Sequence, residues 1–143
     1  MIRLANNSDI KEIYEIVNKV KELKDYNKGE EYPIYWVRNV IKNKKENLVL
    51  VYEKDKNFAG FLIAHLLYSN KDAIRNNIYV KPEFRRKGIA NELVMEYEKR
   101  IKKLGFDFSI SFVNVKNKKM QNFNDKHGYL KGNKFFAYYK WIK

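Results

Sequence analysis

The sequence predicts an α/β domain, and three observations carry that prediction. Apolar spacing alternates between the helical and the strand period in the order strand, two helices, three strands, helix, strand, helix, strands, written β-α-α-β-β-β-α-β-α-β(-β). The run Val80-Lys81-Pro82-Glu83-Phe84-Arg85-Arg86-Lys87-Gly88-Ile89-Ala90 joins a strand to a helix through a basic turn of small residues. The helix after that turn keeps a 3.6-residue period through Ile89, Leu93, Val94, Tyr97, Ile101 and Leu104. No Pro/Gly/Ser linker, low-complexity tract or internal repeat interrupts the 143 residues, so residues 1–143 are expected to form one domain.

The elements follow in chain order. Ile2 to Ala5 is a short first strand. Ser8 and Asp9 are good helix caps, with Glu12 three residues beyond Asp9, and Ile10, Ile13, Tyr14, Val17 and Val20 share one face of a first helix reaching about Lys24. Pro33 suits the first position of a second helix whose stripe is Ile34, Val37, Val40 and Ile41. Leu48 to Tyr52 and Phe58 to Tyr68 are strands around the polar turn 53–57, and Ile74 to Val80 is the strand that delivers the chain to the basic loop. The helix that follows is acidic early (Glu92, Glu96, Glu98) and basic late (Lys99, Arg100, Lys102, Lys103), with Glu96/Arg100 and Glu98/Lys102 at pairing distance and Gly105 as its stop. Phe106, Phe108, Ile110 and Phe112 alternate with polar residues as a strand with one buried face. A short helix covers about Lys118 to Lys126, and the aromatic-rich Tyr129 to Lys143 reads as strand around a turn at 131–134.

Composition removes several function classes. The chain has no cysteine, which excludes disulfides, a cysteine nucleophile and thiolate metal sites. His65 and His127 are far apart and lack a carboxylate cluster, so no metal site is expected. The N-terminal residues lack the apolar run of a signal peptide and no segment has the length of a membrane span, so a soluble cytoplasmic protein without membrane association is expected. A formal net charge of +13 invites a nucleic-acid partner. The lysines, however, are dispersed over Lys19 to Lys28, Lys42 to Lys45, Lys99 to Lys103 and Lys116 to Lys119, as solvated surface charge would be, and neither an RNP-type aromatic motif nor a zinc-finger spacing accompanies them.

The loop has a physical reading of its own. The first amides of a helix lack intrahelical acceptors and carry the positive end of the macrodipole, so a helix entered through Gly88 and Ala90 is suited to an anion such as a pyrophosphate. The spacing Arg85-x-x-Gly88-x-Ala90, after Val80-x-Pro82, resembles the acyl-CoA loop of the GNAT superfamily of N-acyltransferases. The opening Ile2-Arg3-x-Ala5-x-x-x-Asp9 is similar to the start of many GNAT chains. The pattern Asn117-x-x-Met120-x-x-Phe123-Asn124-x-Lys126-x-Gly128-Tyr129 resembles the family's Asn-x-x-Ala-x-x-Phe-Tyr-x-Lys-x-Gly-Phe. The element order also agrees, so the resemblance spans essentially the whole chain.

This resemblance implies a central mixed, mostly antiparallel twisted sheet flanked by helices, and acetyl-CoA as the acetyl donor. It implies that the strand ending at Val80 and the strand Phe106 to Val115 splay apart around the pantetheine arm, with backbone groups of Ile78 and Val80 on that arm. The pyrophosphate would lie on the amides from Arg85 through Arg86, Lys87, Gly88 and Ile89 to Ala90, with Asn91 at the helix start. Asn117 would be a further cofactor contact, its other reading being a helix cap. Two departures stand out. The tyrosine that protonates the departing thiolate in many relatives falls at Asn124, and the glutamate base of the peptide N-terminal branch falls at Phe112. Substitute candidates are His65, Tyr79, and Tyr138 with its neighbour Tyr139, while Glu30 and Glu31 are candidates for recognising a cationic amine.

The expected activity is acetyl transfer to a primary amine of a small molecule or protein, by direct attack and without a covalent enzyme intermediate, in a monomer or homodimer. Two alternatives are a non-catalytic acyl-CoA-binding or sensing domain, motivated by Phe112 and Asn124, and a basic nucleic-acid-associated protein, motivated by the charge.

Overall fold

A computed structural model describes residues 1–24 and 30–143. Residues 25–29, which include the end of the lysine-rich Lys19 to Lys28, lie outside the described residues. The elements are β1 (Ile2–Leu4), α1 (Ile10–Lys19), α2 (Ile34–Lys42), β2 (Asn47–Lys54), β3 (Asn57–Leu67), β4 (Asp72–Val80), α3 (Ile89–Lys103), β5 (Phe108–Ile110) and α4 (Lys118–Lys126). The strands form one sheet in the order β1-β2-β3-β4-β5. Its ladders are antiparallel except β4 with β5, which the α3 crossover makes parallel.

Helices cover both faces, which is why β2 and β3 read as nearly continuous apolar runs. Leu48, Leu50, Leu62, Ala64 and Ala73 pack against Leu93, Val94, Tyr97 and Ile101 of α3. Val49, Val51, Phe61 and Ile63 pack on the other side against Ile13 and Val17 of α1 and Val37, Val40 and Ile41 of α2. Consecutive residues of β2 thus serve different cores, as a period of two requires.

Several local expectations change. Asp9 is the N-cap residue of α1, but its side chain makes no cap hydrogen bond there: Arg3 holds both Asp9 oxygens (2.7 and 2.9 Å), and Oδ2 also accepts from the Asn6 amide (2.8 Å). The capping box of Asn6 with Asp9 belongs to the 3-10 turn Asn7–Asp9 that leads into α1, so Asp9 stands at the expected cap position without capping α1 through its side chain. Hydrogen bonding to Asp9 raises the Arg3 pKa above its ordinary value, reinforced by Glu53. The helix ends at Lys19, where Val20 turns extended, and a 3-10 turn covers Lys21–Lys24. Pro33 is extended and flanks α2, one residue before its first helical position. The β2–β3 turn is tighter than five residues: Asp55 and Lys56 take positive φ (50° and 62°), the geometry of a two-residue hairpin. Of the two expected ion pairs on α3, Glu96–Arg100 forms at 2.6 Å and Glu98–Lys102 does not.

Two features of β4 position the site. A register shift pairs Ile63 with Asn77 and Ala64 with Arg75, leaving Asn76 as an extra residue. Beyond it, β3 and β4 run so close at Gly60 that a Cβ there would stand 2.5 Å from the Tyr79 carbonyl oxygen.

The C-terminal third departs most from expectation. β5 is three residues, Phe108–Ile110, where a strand from Phe106 to Val115 was expected, and of its alternating aromatics only Phe106 is buried. Residues 129–143 form no strand. Aromatic content favours a strand only where an edge accepts its hydrogen bonds, and β5 offers a ladder of three pairs. From Leu130 on every residue is exposed (Leu130 96%, Tyr138 94%), so the arm beyond Tyr129 buries little against the body. Its described ties are the Trp141 indole nitrogen donating to Glu30 (3.3 Å) and the Tyr139–Trp141 ring pair.

Candidate active site

The Val80–Ala90 loop is held by its own residues. Pro82–Phe84 make a 3-10 turn, and the Arg85 amide donates to the Pro82 carbonyl (3.2 Å). Arg85 Nε donates to the Val80 carbonyl (2.8 Å), and the guanidinium lies over the Tyr79 ring, 5.4 Å from its centroid. Arg85 therefore ties the loop to the end of β4, and neither its amide nor the Val80 carbonyl is left open. Arg86 and Gly88 then take left-handed conformations (φ 61° and 79°), and Glu92 donates to the Gly88 carbonyl to open α3. The amides of Arg86, Lys87, Gly88, Ile89, Ala90 and Asn91 take no backbone partner. The run of open amides thus starts at Arg86, one residue beyond Arg85, and reaches Asn91. Positive φ at Arg86 and Gly88, on either side of Lys87, gives these successive N–H groups the character of a nest at the positive end of the α3 dipole. Arg86 and Lys87 are exposed beside it, and nothing lies within 4 Å of the position a Gly88 Cβ would take.

β4 and β5 part company next to this nest. Their last ladder pair is Ile74 with Ile110, and from Arg75 onward the β5-facing edge of β4, including Ile78 and Val80, has no ladder partner. The chain after Ile110 instead runs to Asn117, whose Oδ1 accepts from the Met120 amide (3.1 Å) and caps α4. Asn117 therefore has the cap role in this structure.

At the vertex of the parting strands lies a polar cluster that sequence reasoning missed. Arg75 is 2% exposed; its Nη2 donates to Asn124 Oδ1, and its guanidinium stacks between Tyr129 (4.7 Å) and Phe123 (5.8 Å). Tyr97 and Ser109 hydroxyls are 2.7 Å apart, with Tyr129 a further 3.3 Å on. Burial pushes the Tyr97 phenol up to about 12, raises Tyr129 and lowers Arg75. One signal was available in the sequence: Arg75 is the single charged residue in the apolar segment 74–80.

The substitute acid–base candidates are scattered. His65 lies across β4 from the vertex, paired in register with Ile74, its Nδ1 2.7 Å from Asn47 Oδ1 and its ring edge-on to Trp36. Burial lowers its pKa, so the imidazole is neutral at pH 7. Tyr79 packs on Phe61 and under Arg85. Tyr138 sits in the exposed arm. Phe112 is exposed just beyond β5. Among the described residues no cluster of His, Asp or Glu could hold a metal ion, and no helix is long and apolar enough to cross a membrane.

The layered sheet, the helix-start nest and the parted strands define a class of α/β proteins built to hold an anionic group beside an opened sheet edge. The model of the acetyltransferase (GNAT) family matches residues 10–129, and the chain belongs to that family, an N-acetyltransferase by fold and by class. Among solved structures, the aminoglycoside 6'-N-acetyltransferase AAC(6')-IG of Acinetobacter haemolyticus is similar at 20% identity, with 100% of this chain and 99% of that one covered and a TM-score of 0.79. AAC(6')-Iy bound to a CoA-S-monomethyl-acetylneamine bisubstrate analogue is similar at 16% identity, with 99% and 98% covered and a TM-score of 0.79. The PaiA N-acetyltransferase of Thermoplasma acidophilum in complex with coenzyme A is similar at 24% identity, with 89% and 87% covered and a TM-score of 0.70. At these identities the likeness is one of fold. No curated protein matches in sequence.

Proposed function

We propose that the protein transfers an acetyl group from acetyl-CoA to a primary amine by direct attack of the amine on the thioester. The observation that carries this reading is the run of six unpartnered amides from Arg86 to Asn91 beside the opened edge of β4. The nest holds the donor's pyrophosphate, Arg86 and Lys87 raise its local concentration, and the β4 edge from Ile78 to Val80 accepts the pantetheine arm as an added strand. The chain's contribution to the chemistry is chiefly placement, since an amine held against a thioester gains most of its rate from proximity. His65, neutral and one strand from the vertex, is the candidate acceptor of the amine proton.

Two of the structurally similar proteins are aminoglycoside acetyltransferases, which puts that class first in an acceptor panel, followed by polyamines and lysine-containing peptides. The test is thiol release from acetyl-CoA across that panel. Release above the hydrolysis rate with at least one primary amine is expected. Binding of acetyl-CoA with no turnover on any amine would overturn the enzymatic reading and leave an acyl-CoA-binding domain.

A further inference from the structure

Many relatives place a protonating tyrosine where this chain has Asn124, and the structure puts that asparagine to an unusual use: it holds a buried guanidinium. Arg75 is the first residue of β4 beyond the last β4–β5 pair, so its backbone stands at the vertex of the parting strands. The extra residue at Asn76 resets the alternation of the strand, placing Arg75 with Ala73 on the α3 side of the sheet, under α4. Among the described residues no carboxylate reaches it at salt-bridge distance. The groups facing it are Tyr97 and the more distant Glu98 of α3, Asn124 and Phe123 of α4, and Tyr129. Its Nη1 is the one buried side-chain nitrogen or oxygen without a hydrogen-bond partner among the described residues.

An uncompensated buried cation is costly, and stacking between two rings offsets only part of that cost. A purely structural position would be served as well by an apolar side chain of the same volume. A preorganised cation with a donor left over has its greatest effect where negative charge develops during a reaction.

We propose that Arg75 is a catalytic residue whose Nη1 receives the departing thiolate of the acyl donor, doing by charge what a tyrosine acid does by proton transfer. The inference rests on the acetyl-CoA reading above. The amine nitrogen forms its bond to the carbonyl carbon as the carbon–sulfur bond breaks, and that bond's electron pair stays on sulfur. The amine gives up one proton to water or a base, Arg75 keeps its own, and the thiolate takes a proton from solvent on release. Asn124 is the positioning residue, holding Nη2 while Nη1 keeps no hydrogen-bond partner of its own.

The test is the acidity of coenzyme A's thiol in the protein–CoA complex, followed by the ultraviolet absorbance of the thiolate. With no cysteine in the chain, that thiol is the only one in the sample. The bound thiol is expected to titrate at least about one pH unit below that of free coenzyme A, a tenfold gain in thiolate. Asn124→Asp sets a carboxylate against the guanidinium at unchanged volume and should return the thiol to its free value. Arg75→Met should do the same, with kcat reduced more than KM changes, while Arg75→Lys should retain part of the shift. Should Arg75→Met fail to fold, the parent and Asn124→Asp still decide. A bound thiol as basic as the free one, or a shift undiminished in Asn124→Asp, would overturn the proposal while leaving the acetyl-CoA reading intact. Failure of the parent to bind coenzyme A would overturn both.

Discussion

Gly88 allows charge and backbone strain to be separated at the anion nest. Its φ of 79° is left-handed, and a Cβ there would meet nothing within 4 Å, so a small substitution acts through backbone strain and through whatever charge it brings. A non-glycine residue held in this conformation costs roughly 1–2 kcal/mol. Against a folding stability of about 10 kcal/mol, that leaves the protein folded with its Tm lowered by roughly 3–8 °C. Gly88→Ala and Gly88→Asp carry this strain alike. Asp adds one negative charge among amides that would face a pyrophosphate. At about 4–5 Å and an effective dielectric constant near 20, repulsion from a single phosphate charge is about 3–4 kcal/mol. Calorimetric titration with coenzyme A should therefore show Gly88→Asp binding roughly 10²- to 10³-fold more weakly than the parent. Gly88→Ala should stay within a few-fold of the parent, and the gap between the two variants should narrow as salt shortens the screening length. Equal binding by Gly88→Asp and parent, or equal damage by Ala and Asp, would refute the assignment of these amides to the phosphates.

Other consequences are structural. Gly60→Ala drives a Cβ against the Tyr79 carbonyl (2.5 Å) and the Val80 Cα (3.2 Å), so β3 and β4 must separate; urea denaturation should show a loss of about 1–3 kcal/mol, and unchanged stability would contradict the close approach. Burial depresses the His65 pKa, so below its ordinary value of 6.5 the unfolded chain binds a proton that the folded one resists. Stability is thus full above about pH 6.5 and falls as the pH drops toward the lower folded value; urea midpoints at neutral and mildly acidic pH should show that loss in the parent and a reduced one in His65→Gln. Deleting residues 131–143 should change stability by less than about 1 kcal/mol, because the arm is exposed. A large loss would show that these aromatics pack against the sheet.

The fold was legible where local chemistry and tertiary context agree. The stripe of α3, its charge polarity and its glycine stop all arise within the helix, and the helix forms over Ile89–Lys103 with Gly105 left-handed beyond it. The Val80–Ala90 loop was readable because proline, glycine and small residues restrict its backbone directly. Less legible were features set by distant partners. Arg3 captures the Asp9 carboxylate from another element, so Asp9 stands at the N-cap of α1 without a side-chain cap bond. The length of β5 depends on how far β4 stays beside it, which no alternation within Phe106 to Phe112 records. The aromatics of 129–143 have strand character without an edge to join. At the site, the departures at Phe112 and Asn124 were visible as missing groups, but the partner of Asn124 was not. Arg75 reaches it across 49 residues of sequence, and the extra residue in β4 that aims it leaves no local signature.

The most direct test of the central claim, that the start of α3 holds the phosphates of an acyl-CoA, is an amide-resolved NMR titration of the protein with acetyl-CoA. The largest and saturable shifts should fall on the amides of residues 86–91, with a second group along β4 from Ile78 to Val80. Shifts absent from residues 86–91, or spread over exposed lysines elsewhere, would contradict it.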